Sequence, residues 1–216
     1  MKIIINKLFK INPRWSETKK KTIYIIISTL MLFLLASMFF NALQIKDNVM
    51  KENIIVSNKS IVIAEELLKL NNHLGPSICE FIAQCIVDIS KEYDVDPFLV
   101  FAIIKWESWG KPRAKNPRTQ AMGLMGVLYT KEELKTMKDW ELCDIKANIG
   151  KGTQILREWL DSPKSYKGKN HYPEITRALL GYNGVSVNFN DGFEYVSKVL
   201  GEHRELEKKL NNSKKE

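Results

Sequence analysis

The sequence has few of the residues that build metal centres or disulfide frameworks. It contains three cysteines and three histidines in 216 residues, and the cysteines lack the short spacing typical of a metal site. Cys79 and Cys85 are six positions apart on a predicted helix, about 240° around its axis, so they cannot easily form a disulfide. We therefore expect buried free thiols, no metal and no cofactor.

Excess positive charge is also scarce outside one end of the chain. The net charge is +8, but residues 1–22 hold seven cations against one acid and so carry +6 of it. The other 194 residues carry only +2, which removes most of the support for a nucleic-acid partner. With seven prolines and 44% hydrophobic residues, the chain has the composition of a globular protein rather than a disordered one.

Charge is absent altogether from residues 22–45. A membrane-spanning helix needs ~20 mostly apolar residues, so residues 23–45 are predicted to be a transmembrane helix that anchors the chain in a lipid bilayer. A buried core helix is an alternative, but it would need polar positions on one face. A cleaved signal peptide is another, although the basic leader and the apolar run are both longer than usual and no small-x-small cleavage site follows.

The flanking charges predict the orientation of this single-pass anchor. Because the basic leader, residues 1–22, precedes the span and a nearly neutral segment follows it, the positive-inside rule keeps the leader in the cytoplasm. Everything after residue 45 is then expected outside the cytoplasmic (inner) membrane, in the periplasm or beyond.

The rest of the chain reads as helical. Residues 46–74 are expected to form a stalk, residues 75–205 a folded domain and residues 206–216 a charged tail. Apolar residues recur at three- and four-residue steps within the domain, and Asp96-Pro97 has the form of an N-cap followed by a first-turn proline. Since no alternating apolar run predicts a strand, the fold class is mainly α.

Glu107 stands out near the end of the helix that Asp96-Pro97 opens. On a helical wheel at ~100° per residue it falls within the apolar stripe formed by Leu99, Val100 and Ile103. A carboxylate facing the interior is desolvated, which raises its pKa as a general acid near neutral pH requires. The pattern alone equally allows a glutamate that turns outward past the last turn.

Four short motifs follow one another in the helical domain: Glu107-Ser108, Gly123-Leu124-Met125, Asn148-Ile149 and Tyr182-Asn183-Gly184. Their order and spacing resemble the catalytic domain of the soluble lytic transglycosylases, which has a goose-type-lysozyme-like fold. The resemblance covers residues 90–200, and the segment from Tyr195 to Leu200 is similar to the family's closing helix.

The resemblance implies a lysozyme-like helical domain and assigns roles to the matched residues. Glu107 would be the catalytic acid and base. The substrate-binding or supporting residues would be Ser108, Gly123, Leu124, Met125, Tyr182 and Asn183. Tyr182 would help to position Glu107, and Gly123 would allow the backbone to approach the sugar or the Glu107 helix closely. A water-facing serine and a core tyrosine are the alternatives for Ser108 and Tyr182.

The sequence departs from the family pattern at two points. The glutamine that follows Gly-Leu-Met in the family is Gly126 here, and the Tyr-Asn turn is one residue shorter. The first change removes a side-chain amide that the resemblance would place in the sugar cleft. If the amide alone is missing, Gly126→Gln should improve substrate binding with little effect on stability.

The function implied by the resemblance is lytic cleavage of peptidoglycan glycan strands at the MurNAc-GlcNAc β-1,4 bond. Glu107 would protonate the leaving oxygen and then take a proton from the C6 hydroxyl, so that a 1,6-anhydro ring closes on MurNAc. Glycoside hydrolases normally use two carboxylates, and no motif ties a second one to Glu107. The alternatives are a lysozyme-type peptidoglycan hydrolase and a non-catalytic cell-wall-binding or assembly protein. The sequence leaves open whether the protein works with envelope machinery and does not identify such a partner.

Overall fold

The computed structural model describes residues 16–162, 173–184 and 189–213. The described helices, in chain order, are α1 (Glu17–Leu70), α2 (Pro76–Glu92), α3 (Pro97–Ser108), α4 (Lys131–Thr136), α5 (Asp139–Leu142), α6 (Ile145–Asp161), α7 (Glu174–Tyr182) and α8 (Phe189–Ser213). The described ranges contain isolated antiparallel bridges, from Met122 to Lys115 and to Val127, but no named strand. The expected mainly α fold is confirmed.

The chain divides into two compact units, residues 1–54 and residues 55–216. The first contains the apolar stretch of α1, whose length and mean hydropathy of 2.4 would allow it to cross a membrane. Leu32, Phe33 and Phe39 in this stretch are 71%, 74% and 68% exposed. The core helix of a soluble protein would bury such side chains, so the exposure argues against that alternative.

The second unit extends past both boundaries expected from the sequence. Ile63 and Leu67, near the end of the predicted stalk, are fully buried in its core, and so is Leu206 in the predicted tail. An ion pair of 2.7 Å joins the carboxylate of Glu66 to the ammonium group of Lys209. Ile63 and Leu67 are four residues apart and so lie on one helix face. Because charged residues surround these apolar positions in the sequence, their burial was not predicted.

Helix α3 lies at the centre of this unit and packs against α2 and α8. All its residues from Phe98 to Ile104 are buried, so it is apolar on every side rather than along one stripe. The side chain of Asp96 caps its first turn by accepting a hydrogen bond from the Phe98 backbone N–H at 2.8 Å, as expected. Its last residue, Ser108, is followed by Trp109 in a left-handed C-cap conformation.

The other elements complete the core around α3. Helix α6 packs against α2 and α7, and α7 also packs against α8. Cys79 and Cys85 on α2 are buried free thiols, as predicted, and Cys143 is a partly buried one. The last turn of α3 and the loops that follow it are left to form a surface cleft.

Candidate active site

Glu107 lies in the last turn of α3 and lines a cleft of about 520 Å³. Ser108 and Trp109 line it with Glu107, and the loop after α3 contributes further residues. Gly123 and Gly126 line the cleft from the next segment of the chain. A buried helix therefore ends in a carboxyl group that meets open space.

The Glu107 carboxyl is partly buried, and burial raises its pKa to about 7. The hydroxyl of Tyr195 on α8 interacts with it and offsets part of this rise. That hydroxyl is itself buried and has no partner at good hydrogen-bonding geometry among the described residues, so its interaction with the carboxyl is a loose one. A carboxyl with a pKa near 7 can donate a proton at neutral pH and then act as a base.

Ser108 is buried beside Glu107 rather than facing water. Its hydroxyl donates a hydrogen bond of 2.9 Å to the carbonyl oxygen of Ile104, one turn back along α3. The residue also lines the cleft. Its side chain is therefore fixed by the helix, and the water-facing alternative does not hold.

Gly123 makes room for Asn148 rather than for the Glu107 helix. A Cβ at Gly123 would lie 2.2 Å from Nδ2 of Asn148, and its φ of +78° is a conformation that favours glycine. The amide of Asn148 is fully buried. It accepts a hydrogen bond from the Met125 backbone N–H at 2.9 Å and donates one of 2.9 Å to the Met122 carbonyl oxygen. Asn148 thus holds both ends of the Gly-Leu-Met segment.

Leu124 and Met125 belong to the core and lie behind the cleft. Both side chains are fully buried. The hydroxyl of Tyr182 donates a hydrogen bond of 2.7 Å to the Met125 carbonyl oxygen, so Tyr182 supports the same segment. Asn183 is the C-cap of α7. None of these four residues is among the described residues that line the cleft.

Gly126 is the residue whose expected role changes most. A Cβ at this position would lie 2.6 Å from Oε2 of Glu107, and the φ of Gly126 is +59°. A glutamine here would meet the Glu107 carboxyl and strain the backbone. The expectation that Gly126→Gln improves binding with little effect on stability is therefore not supported by the geometry.

Comparison with known proteins places the chain in a family. The transglycosylase SLT domain family matches residues 84–211, more than half of the chain. The chain belongs to the transglycosylase SLT domain family. It is also 31% identical over 115 residues to a transglycosylase of Enterobacteria phage PRD1. The matched segment covers 51% of this chain and 38% of that protein. The chain thus spans well under half of that relative's length. The family predicted from the four motifs is confirmed.

Two residues of this SLT domain gain roles that sequence reasoning missed. The resemblance places Tyr195 only in a closing helix, yet its hydroxyl interacts with the Glu107 carboxyl. Its signal in the sequence was its register with Val199, which is buried on the same helix face. The resemblance gives Asn148 only as part of a motif. Its signal in the sequence is its place between Ile145 and Ile149 on the apolar face of α6, where an amide needs hydrogen-bond partners.

A second cluster of potential ligands lies at the other end of α3. Asp96, His203 and Glu207 offer three ligand atoms within 4.8 Å of one another. Asp96 already caps α3 and pairs with Lys59 at 3.0 Å. Since a 12-residue helix is roughly 18 Å long, this cluster is separate from Glu107, and we assign it a structural role.

Proposed function

We propose that this SLT domain is a lytic transglycosylase that cleaves peptidoglycan glycan strands at the MurNAc-GlcNAc β-1,4 bond, with Glu107 as general acid and base. Membership of the family supports the reaction class. The observation that carries the assignment of Glu107 is its position in the cleft together with a pKa raised to about 7 by burial. At neutral pH a substantial fraction of these carboxyls holds the proton that the first step needs.

The proposed chemistry needs one carboxyl and no added water. Protonated Glu107 gives its proton to the glycosidic oxygen as the bond from that oxygen to C1 of MurNAc breaks, leaving an oxocarbenium-like centre. The Glu107 carboxylate then accepts the proton of the C6 hydroxyl. The C6 oxygen bonds to C1, which closes the 1,6-anhydro ring and returns Glu107 to its protonated form.

The composition of the cleft supports a lytic rather than a hydrolytic reaction. Among the described residues that line it, Glu107 is the one carboxylate. An inverting hydrolase needs a second carboxylate to activate water, and a retaining one needs a second carboxylate as nucleophile. In the lytic reaction the C6 hydroxyl of the sugar is the nucleophile, so neither a carboxylate that activates water nor a carboxylate nucleophile is needed.

Mass analysis of the products of purified murein tests the reaction. Products ending in 1,6-anhydro-MurNAc would be lighter by one water than lysozyme products of the same length. Reducing ends would instead mean hydrolysis, and intact murein would favour a non-catalytic wall-binding protein.

A variant pair tests the assignment of Glu107. Glu107→Gln keeps the size of the side chain but removes its titrating proton, so cleavage should fall by ~10²–10⁴-fold or more. Glu158→Gln makes the same chemical change on the exposed face of α6, outside the cleft, and should cleave like the parent. Undiminished cleavage by Glu107→Gln would refute the assignment.

Anchoring is a second part of the proposal: residues 23–45 hold the enzyme in the cytoplasmic membrane with the SLT domain outside. The exposed apolar stretch of α1 and the basic leader support it. Protease added to spheroplasts should remove the domain and leave a small membrane fragment, whereas full protection would contradict the orientation. The mass of the untreated protein separates an anchor from a signal peptide, since only a signal peptide would be cleaved.

A further inference from the structure

The loop after α3 concentrates positive charge beside the cleft. Residues 110–121, here called the basic loop, contain four cations and no acid. Outside the leader the chain has a net charge of +2, so the remainder without the basic loop carries a net −2. The loop is therefore a basic patch on a domain that is otherwise slightly acidic.

The basic loop has a defined conformation. The side chain of Asn116 accepts hydrogen bonds from the backbone N–H groups of Arg118 and Thr119, at 2.9 and 3.3 Å. The backbone N–H of Gly123 donates to the carbonyl oxygen of Ala114 at 2.9 Å, which ties the loop to the cleft. The cations are thus presented from a folded loop rather than from a free chain.

Three of the cations, Lys111, Lys115 and Arg118, line the same cleft as Glu107. All three are exposed. Lys115 pairs with Asp139 at 3.6 Å, while neither Lys111 nor Arg118 forms an ion pair with a carboxylate of the described residues. The cleft therefore offers cationic donors to a bound molecule.

We propose that the basic loop recognises the carboxylates of the peptides that branch from the muramic acid residues of a glycan strand. This inference rests on the proposed function for the identity of the strand. The lactyl carboxyl of muramic acid becomes a neutral amide when a peptide is attached, so the sugars carry no negative charge. The anions that a loop beside the cleft can bind are therefore the carboxylates of the peptide. The enzyme would then prefer strands that keep their peptides, and would bind them more tightly at low ionic strength.

Co-sedimentation with insoluble murein tests the proposal without relying on catalysis. Every protein in this test is the full chain carrying Glu107→Gln, so that the murein is not cleaved, and the chain with no further change is the parent. Nonionic detergent keeps the proteins in solution. One sample of murein, freed of attached phosphate polymers, keeps its peptide carboxylates, and a second has them converted to neutral amides. Lys111→Gln with Arg118→Gln is compared with Lys131→Gln plus Lys135→Gln, which removes the same charge from α4, outside the cleft.

The Lys111 and Arg118 double variant should bind untreated murein about 3- to 10-fold more weakly at low ionic strength, and the control pair should bind like the parent. On amidated murein the parent should bind as weakly as the double variant. The proposal would be overturned if the parent bound untreated and amidated murein equally. It would also be overturned if the double variant bound more weakly than the parent by the same factor on both mureins. These outcomes are independent of whether the chain with Glu107 intact cleaves murein, so the proposed reaction can fail separately.

Discussion

A Cβ placed on Gly126 would lie 2.6 Å from Oε2 of Glu107 and 3.1 Å from its Cβ and Cδ atoms. The backbone of Gly126 has a φ of +59°, which disfavours any L side chain. The bare glycine therefore leaves the space in which the carboxyl can sit, and this space opens onto the cleft. Gly126 therefore sets the room that is available to the Glu107 carboxyl.

We accordingly expect Gly126→Ala and Gly126→Gln to lose activity. The left-handed backbone should cost ~1–2 kcal/mol of stability in either variant. The new Cβ should also displace the Glu107 carboxyl, so the turnover number should fall well beyond what the loss of folded protein explains. Cleavage of murein by samples matched for folded protein measures this effect.

Gly184→Ala is the matched control for backbone strain. Gly184 has a φ of +63°, but a Cβ there would meet no atom of the described residues within 4 Å. This variant should lose a similar amount of stability while cleaving murein at nearly the parent rate. Parent-like cleavage by Gly126→Ala would contradict the steric role given to Gly126.

Asn148→Asp should weaken the segment beside Glu107, the proposed catalytic acid. Aspartate keeps the acceptor for the Met125 N–H but replaces the donor with an oxygen facing the carbonyl oxygens of Met122 and Leu142, at 2.9 and 3.3 Å. A buried polar group left without its partner costs ~1–3 kcal/mol, and more if it is charged. Urea unfolding should show a loss of at least this size.

Gln154→Ala separates this effect from a general weakening of α6. Gln154 is exposed on the same helix and bonds only to Glu158 in the described structure. Its replacement should change stability by less than ~0.5 kcal/mol. A small loss in Asn148→Asp, equal to that in Gln154→Ala, would mean that the buried amide does not hold the segment.

Much of the fold could be predicted because its signals are local. The helix that carries Glu107 followed from Asp96-Pro97. The apolar stripe left the carboxyl equally free to turn inward or outward, and only the structure shows it partly buried. The catalytic family followed from short motifs in order. The helix signals and each single motif lie within a few helical turns, although the order of the motifs spans residues 107–184.

The parts that escaped prediction depend on contacts between distant segments. Ile63 and Leu206 look unremarkable among charged neighbours, and only packing around α3 makes them core residues. Tyr195 follows Glu107 by 88 positions, and no local pattern indicates that its hydroxyl reaches the carboxyl. The clash at Gly126 likewise depends on where a neighbouring loop meets the end of a helix.

Tyr182 and Tyr195 form a pair of tyrosines whose hydroxyls should behave differently. The Tyr182 hydroxyl donates to the Met125 carbonyl oxygen at 2.7 Å, whereas the buried Tyr195 hydroxyl has no good partner in the described structure. Tyr182→Phe should therefore cost ~0.5–1.5 kcal/mol, and Tyr195→Phe should cost less or be neutral. Urea unfolding of the two variants compares these effects directly.

The same pair should separate in the pH dependence of cleavage. Burial raises the pKa of Glu107, and the Tyr195 hydroxyl lowers it in part. Tyr195→Phe removes the lowering, so the alkaline limb of the pH–rate profile should move to higher pH. If the limb moved to lower pH, the Tyr195 hydroxyl would not be lowering the pKa of Glu107. If Tyr195→Phe were less stable than Tyr182→Phe, the hydrogen bonding given to the two hydroxyls would be wrong.

Glu107 should also make the stability of the domain depend on pH. Its pKa is about 7 in the folded state and 4.5 in an ordinary carboxyl, so between these values the folded protein holds a proton that the unfolded chain releases. The free energy of unfolding should therefore fall as pH rises through this range, by up to about 3 kcal/mol. Glu107→Gln cannot lose the proton, so its stability relative to the parent should be smallest below pH 4.5 and should rise until pH passes about 7. Urea unfolding of both proteins across this range measures the difference, in which other titrating groups largely cancel. Parallel curves would mean that the Glu107 carboxyl keeps an ordinary pKa, and the proposed acid would then lose its main physical support.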